Sequence, residues 1–412
     1  MQTKPQVAVV GAGIIGICSA FFLQKSGFKV TLIDKNEPAS MTSYGHACTF
    51  ADYACVPINS TNLFKDIPSM LMRSDGPLSI DFFYMIKNLD WALKFLRNSS
   101  RNNVNKISES LGSILKSASI SYDEIFSEVD VSQYIKNEEA IYLYKNELAY
   151  LKAKKANEIR KKNGVKIKIL SQNDILNMEP NLAPVFHNGQ LFVGSRHTTN
   201  PSAVSKKIFD SFINNGGMFV RKKIENIIPR ETSVSLNYNN NHYTFDKVVL
   251  CAGSWSNILT KKFGESFPLD TERGYHVMFD NIDLISRPIG WSHSGFYLVQ
   301  LQDGLRAAGT VEIAGLEKPE NIKRTKMIEA QARKILPQLK EVQSTWLGFR
   351  PTLPDSMPII GESQINKNII YGFGHQHIGW TLGAVTGKII NTLCCNRKPN
   401  INIESFSPNR FN

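Results

Sequence analysis

Gln6-Val7-Ala8-Val9-Val10-Gly11-Ala12-Gly13-Ile14-Ile15-Gly16 is the stretch on which the fold turns. The β-branched apolar run predicts a short buried strand, and the apolar residues after it predict a helix to about Ser26. Gly27 stands where a helix C-cap glycine belongs, and Lys29 to Ile33 reads as a second buried strand ending at Asp34. The unit is therefore βαβ. Gly11 permits a tight turn, Gly13 lets the backbone approach a pyrophosphate, and Gly16 lets the helix pack closely on the strand. Asp34, 18 residues after Gly16, is placed to take ribose hydroxyls. The strand, glycine spacing, helix N-terminus and acid together imply a bound dinucleotide. They do not decide between FAD and NAD, since both use this unit.

At 412 residues the chain exceeds one ordinary core, so a second domain is expected. With 42% hydrophobic and 20% charged residues it has the composition of a folded, soluble protein. The net charge of +12 comes from dispersed Lys and Arg, for example Lys154, Lys155, Arg160, Lys161 and Lys162. That run reads as a solvated basic face, with attraction to an anionic membrane surface as the other reading. No motif or aromatic-basic cluster points to nucleic acid. The six cysteines show no metal or disulfide spacing, which fits a reducing, cytoplasmic setting. Val7 to Leu23 is apolar but glycine-interrupted, and it reads as mature structure, neither leader nor span.

Further along, Met41 to Asn62 reads as loop, with Pro68, Gly76 and Pro77 as breakers. Ile80 to Leu96 predicts a strongly aromatic helix packed inside the protein, the alternative being a membrane-contacting or oligomer surface. Helices are expected over Asn105–Phe126, Glu147–Lys162, Pro201–Asn214, Asn321–Ile335 and Thr381–Cys394. Strands are expected at Ala140–Tyr144, Gly189–Gly194, Lys247–Cys251, His276–Phe279, Gly295–Leu301 and Leu305–Thr310.

Thr42-Ser43-Tyr44-Gly45-His46-Ala47 resembles the second nucleotide-contact loop of the D-amino-acid oxidase superfamily of flavoproteins. The resemblance runs in order along nearly the whole chain. It continues in Asp270-Thr271-Glu272-Arg273-Gly274-Tyr275-His276, Asp303-Gly304-Leu305-Arg306 and Ala308-Gly309-Thr310-Val311-Glu312. Trp346-Leu347-Gly348-Phe349-Arg350-Pro351, Pro354-Asp355, Pro358-Ile359-Ile360-Gly361 and Gly374-His375-Gln376-His377-Ile378-Gly379-Trp380-Thr381 complete it. These motifs are most similar to the bacterial D-amino-acid dehydrogenase branch.

The resemblance implies an α/β chain with a Rossmann-type FAD-binding domain and a mixed-sheet α+β substrate domain, both discontinuous in sequence. The expected division is 1–52, 198–265 and 343–412 for FAD, against 53–197 and 266–342 for substrate. Beyond the glycine unit, FAD contacts are expected from Ile14, Ile15, Lys35, Thr42, Ser43, Gly45, His46, Ala47, Ile224, Ala252, Gly253 and the run Gly374 to Thr381. Backbone N–H groups and the helix start in that last run are suited to the charge of a reduced flavin. His375 and His377 lack the further ligands a metal would need.

Arg350 matches the superfamily arginine that grips the substrate carboxylate, a role for which guanidinium geometry is suited. Tyr275 and His276 are the next candidates for substrate contact, with one of the two expected to face the site because strands alternate. His293 and Tyr297 follow. At His46 the branch usually carries Asn, and at Cys48 Gly. Dimethylglycine and sarcosine dehydrogenases attach FAD through a His in a Trp-His-Ala context near here. Tyr44-Gly45 replaces that approach, so a hydrogen bond to the cofactor is expected ahead of a covalent link.

The implied activity is oxidation of the C–N bond of a small amino acid, foremost a D-amino acid, with D-proline or a hydroxy-D-proline among the candidates. Electrons would pass to a quinone or another carrier. An oxygen-using glycine or sarcosine-type oxidase is the alternative, and a catalytically silent FAD-binding scaffold subunit is the reading from another class. Peripheral contact with the inner face of the cytoplasmic membrane would suit a quinone acceptor.

Overall fold

A computed structural model describes residues 4–59, 73, 75–239, 241–280 and 283–411. Pro68 and residues 60–62 of the expected Met41–Asn62 loop lie outside the described residues. The expected βαβ unit is present as strand Gln6–Val10, helix Ile14–Lys25 and strand Lys29–Asp34. It lies in a six-stranded sheet ordered Met218–Arg221, Lys29–Asp34, Gln6–Val10, Lys247–Leu250, Ile369–Phe373, Ile359–Glu362. All its pairings are parallel except the last. The first helix is apolar on every side because it is covered on every side, by the sheet, by helix Pro201–Asn214 and by the C-terminal helix Gly379–Cys394. Parallel sheets need such cover on both faces.

The second large sheet has nine strands. Along its main path lie Val342–Thr352, Asp270–Phe279, Gly304–Ile313, Phe296–Leu301, Ile289–Trp291, Ile141–Tyr144, Asn188–Phe192 and Ile167–Ser171, with Leu78–Ile80 beside Gly304–Ile313. One face packs on helix Ile322–Ile335 through Val277, Leu298, Ala307, Ile328 and Ile335. The other face looks toward the dinucleotide sheet and forms the floor of the site.

Three expectations need correction. Val342–Thr352 pairs with Asp270–Phe279 from Asp270↔Thr352 to Phe279↔Val342, so residues 343–352 belong to the nine-stranded sheet, not to the FAD-binding half. Conversely, helices Arg101–Leu115 and Ala118–Phe126, expected in the substrate domain, place Ile107, Leu111, Tyr122 and Ile125 in one core with Ile14, Phe21 and Leu382. Local periodicity predicts a helix but not which sheet buries its apolar stripe. Finally, the aromatic segment breaks at Asn88 into Phe82–Lys87 and Leu89–Arg97, and of these helices' residues only Trp91 is buried. Phe82 and Phe83 are 71% and 77% exposed. Their apolar stripe faces outward, as the alternative surface reading holds.

Candidate functional site

A cavity of about 790 Å³ runs from the glycine turn of the first sheet to the open face of the second. Gly11, Gly13, Ile14, Ile15, Asp34, Lys35, Thr42, Ser43, Gly45, His46, Ala47, Ile224, Ala252 and Gly253 line it, as do His375, Gln376, His377, Gly379 and Trp380. The glycine turn is tight. Gly11 has φ +106°, and a Cβ there would lie 2.4 Å from the Cys251 carbonyl oxygen. Gly16 does not line the cavity; a Cβ on it would lie 1.8 Å from the Gly11 oxygen, so it sets how closely helix and turn approach. The Asp34 carboxylate accepts the Ala12 N–H at 2.7 Å and the Asn36 N–H at 2.9 Å, which leaves lone pairs on both oxygens for ligand hydroxyls. The Ser43 hydroxyl accepts the Ile14 N–H at 2.9 Å, tying the second loop to the helix N-terminus.

At the other end the cavity is ringed by polar groups without protein partners. His46 Nε2, Gln376 Nε2, Trp380 Nε1 and Thr310 Oγ1 are all buried and unpaired. An unmade buried hydrogen bond costs roughly 1–3 kcal/mol. The backbone is strained in the same place, with positive φ at Cys48 (60°), Thr310 (59°) and Gln376 (48°). Such strain collects where a ligand has to be met at a fixed geometry. His46 Nδ1 accepts the Cys48 N–H at 2.9 Å, so the proton of the neutral ring sits on Nε2, the atom left unpaired. Burial, reinforced by Arg306 and His276, lowers this ring's pKa to about 3, so it is neutral throughout the physiological range. The ring packs 4.5 Å from Trp380, at the start of the C-terminal helix.

Arg350 lies across the sheet floor. Its Nη1 donates to the Thr310 carbonyl at 2.7 Å, and a Cβ on Gly274 would lie 2.3 Å from its Nη2. Only glycine at 274 leaves room for the guanidinium. Glu272, opposite Arg350 in the strand register, is pushed up to about 7 by burial, with Arg350 opposing the rise. Arg350 lines the cavity, and among the described residues the Thr310 carbonyl is the guanidinium's one hydrogen-bond partner.

The FAD dependent oxidoreductase family (DAO) matches residues 6–393 of the chain. A D-amino-acid oxidase of Bradyrhizobium diazoefficiens is 32% identical over the full length of both chains. The chain belongs to this family. A D-amino acid dehydrogenase of Vibrio vulnificus is 24% identical, covering 94% of this chain and 95% of its own. Among solved structures, an L-proline dehydrogenase from P. horikoshii superposes with a TM-score of 0.75 at 17% identity, covering 100% of this chain and 98% of that one. A glycine oxidase from Geobacillus kaustophilus gives 0.74 at 18%, with 98% of each chain covered. These two likenesses are of fold.

The chain is thus an FAD-dependent oxidoreductase, and its cavity fits that cofactor. The glycine turn and Asp34 are suited to the adenosine and pyrophosphate, and the unpaired donors at the helix start to the polar edge of the ring system. Gly374, Ile378 and Thr381, also expected at the cofactor, stand behind the lining residues. Gly374 (φ +85°) turns the chain, Ile378 is buried, and Thr381 Oγ1 accepts the Ala51 N–H at 2.9 Å. His375 is held by Thr386 at 3.0 Å.

Of the three residues expected to act on substrate, only Arg350 lines the cavity. Tyr275 is on the opposite face, buried in the core on helix Ile322–Ile335; its hydroxyl donates to Glu312 and accepts the Asn321 N–H. His276 is on the cavity side but one layer back, stacked 5.2 Å from Trp346 with Nδ1 3.1 Å from the Gly45 oxygen. The loop of residues 44–46 and Trp346 cover it. His293 pairs with Asp75 at 2.8 Å, away from the lining, whereas Tyr297 does reach the cavity. Tyr275→Phe should therefore lower stability by about 1–3 kcal/mol, the cost of breaking a buried charge-assisted bond. Its kcat/KM should stay within a few-fold of the parent; denaturant melts and steady-state kinetics check both.

Sequence reasoning missed Trp255, Tyr53, Tyr142, Phe192, Arg160 and Trp346, which also line the cavity. Tyr142 was within reach, because it alternates with buried Ile141 and Leu143 on a strand already expected.

Proposed function

We propose that this chain oxidatively deaminates a small D-amino acid, converting it to a 2-oxo acid and ammonia, and passes the electrons to a quinone or another carrier. The observation that carries the reading is Arg350, a cavity-lining cation fixed at Nη1 by the Thr310 carbonyl and placed to take a carboxylate. FAD supplies an acceptor for the hydride that leaves Cα. The chain's residues do the positioning: Arg350 holds the carboxylate bidentately, and the tyrosine side of the cavity limits the side chain. The donors of His46, Gln376 and Trp380, with the start of helix Gly379–Cys394, favour extra negative charge where electrons arrive. The imine formed from substrate loses its nitrogen to water. Support for the D-configuration comes from the likeness to the Bradyrhizobium D-amino-acid oxidase and the Vibrio D-amino acid dehydrogenase.

A D- and L-amino-acid panel, scored by anaerobic bleaching of the flavin, tests the reading. Bleaching by D-amino acids is the expected result; bleaching by L-amino acids alone would overturn it. Mixing the reduced enzyme with air then separates acceptors. Slow reoxidation by oxygen and fast reoxidation by a soluble quinone support the dehydrogenase. Fast reoxidation by air supports an oxidase, the second reading, which the Bradyrhizobium relative's name favours.

FAD is held without a covalent bond in this reading, because His46 Nε2 carries the proton and Nδ1 is occupied by the Cys48 N–H. A link through Nε2 would first need that proton removed, and burial leaves no protein partner at Nε2 to take it. All yellow colour should pass a filter after denaturation; colour retained with the protein contradicts this.

The quinone reading gains support from the two exposed helices. Phe82, Phe83, Ile86, Leu89 and Leu93 project outward beside exposed Lys87, Arg97 and Arg101. Apolar side chains flanked by cations suit an anionic bilayer surface. No helix of the described residues is long and apolar enough to cross a membrane. The protein should co-sediment with vesicles containing anionic lipid. Replacing Phe82, Phe83 and Leu93 together by Ser should weaken that binding at least tenfold; equal binding by parent and variant contradicts the surface assignment.

A further inference from the structure

Beyond Arg350 the sheet floor continues toward its far strands, and the cavity continues with it. A Cβ on Gly290 would lie 2.1 Å from the Tyr142 ring and 2.8 Å from the Tyr297 ring, so these two side chains converge over that strand. Their centroids are 5.7 Å apart, and the Tyr53 hydroxyl reaches that of Tyr297 at 3.3 Å. Tyr53 in turn stacks on Phe192 at 3.7 Å. The Arg160 guanidinium lies 5.7 Å from the Phe192 ring and also lines the cavity.

Arg160 is an unusual cation to find there. Asn157 takes its Nη1 at 2.8 Å, and Asn157 is fixed by Gln190, so the side chain is held in place. Its Nε is buried without a partner, and among the described residues the guanidinium's hydrogen-bond partner is an amide, Asn157, not a carboxylate. Arg160 is half-buried, with its Nε buried and unpaired at the cavity wall, so an anion entering the cavity would meet a guanidinium already held in place by an amide. The family's carboxylate clamp does not require it, since Arg350 already serves that end.

We propose that the cavity has a second anion subsite at Arg160, walled by Tyr53, Tyr142, Phe192 and Tyr297, and that the preferred substrate is an amino acid whose side chain ends in a carboxylate. The α-carboxylate goes to Arg350 and the ω-carboxylate to Arg160. The tyrosine rings line the methylenes between them. This rests on the proposed amino-acid oxidation and adds the side-chain class to it.

The test compares each acid with a neutral analogue on the holoenzyme. D-aspartate, D-glutamate and D-2-aminoadipate are measured against D-asparagine, D-glutamine and D-norleucine by anaerobic flavin bleaching. At least one acid should show a kcat/KM tenfold or more above its partner. In Arg160→Met that ratio should collapse to about one, and Arg160→Lys should recover part of it. Independently of turnover, glutarate should perturb the flavin absorption of the parent at concentrations at least tenfold below those needed for butyrate. Arg160→Met should remove the difference while its flavin content stays that of the parent. Bleaching by neutral amino acids with an acid-to-neutral ratio near one, or a ratio unchanged in Arg160→Met, overturns the subsite alone. Bleaching by no amino acid overturns the proposed reaction instead.

Discussion

Arg350→Met should lower kcat/KM for the substrate by about 10²–10⁴-fold, with most of the loss in KM. The expected size follows from removing two charge-assisted hydrogen bonds to a desolvated carboxylate, worth about 1.5–3 kcal/mol each. A tenfold change corresponds to about 1.4 kcal/mol. Arg350→Lys should recover only part of the loss, because an ammonium cannot match two parallel acceptors and hold the Thr310 carbonyl at once. Glu272 sharpens the expectation. Arg350 counters the burial that raises this carboxyl, so in the Met variant Glu272 takes up its proton at a higher pH than in the parent. The variant therefore becomes neutral at both positions rather than leaving an unpaired charge, and it should still fold and retain its flavin. Steady-state kinetics over a substrate range, with flavin absorbance as the check on folding, read the result. An unchanged KM would remove Arg350 from the carboxylate site.

Gly16→Ala should have the largest effect on the cofactor. Its added methyl would sit 1.8 Å from the Gly11 oxygen, and backbone on both sides cannot yield without separating helix Ile14–Lys25 from strand Gln6–Val10. Gly11→Ala should behave alike, with φ +106° and a contact of 2.4 Å to the Cys251 oxygen. Overpacking of this kind typically costs 1–3 kcal/mol, and the strained left-handed backbone adds roughly 1–3 kcal/mol. Because the displaced groups are the ones that meet the pyrophosphate, both proteins should be isolated largely without flavin. The ratio of absorbance near the flavin maximum to that of the protein measures this directly. By contrast, Gly27→Ala meets open space within 4 Å and should cost only the φ penalty, leaving flavin content intact.

The nucleotide half was legible because its constraints are local. Gly11, Gly13, Gly16 and Asp34 lie within one supersecondary unit, and the turn, the strand spacing and the helix N-terminus leave few alternatives. Gly374 to Thr381 was reached through the family resemblance rather than local pattern; His375, Gln376, His377, Gly379 and Trp380 line the cavity, while Gly374, Ile378 and Thr381 do not. The substrate side depends instead on which way long strands face. Asp270–Phe279 carries a register shift between Arg273 and Tyr275 where it meets Gly304–Ile313. Alternation correctly implied that Tyr275 and His276 face opposite ways. What it could not convey is that the loop of residues 44–46 and Trp346 cover the face on which His276 lies. Arg160 was hidden by its company: within the basic run of helix Glu147–Lys162 it reads like its exposed neighbours Lys161 and Lys162. Only the tertiary placement of Asn157 against Gln190 turns that side chain toward the cavity. The aromatic segment 82–97 was misjudged for a similar reason, because its composition suits a core and a membrane-facing surface equally.

In the proposed reaction, flavin accepts a hydride from the Cα of an amino acid whose carboxylate is held by Arg350. An anaerobic single turnover with a Cα-deuterated D-amino acid tests it most directly. One 2-oxo acid and one ammonia per flavin bleached are expected, with bleaching slowed severalfold by deuterium and, at substrate concentrations well below the parent's KM, slowed at least a hundredfold in Arg350→Met. Bleaching without 2-oxo acid and ammonia, or at a rate unaffected in Arg350→Met, would contradict it.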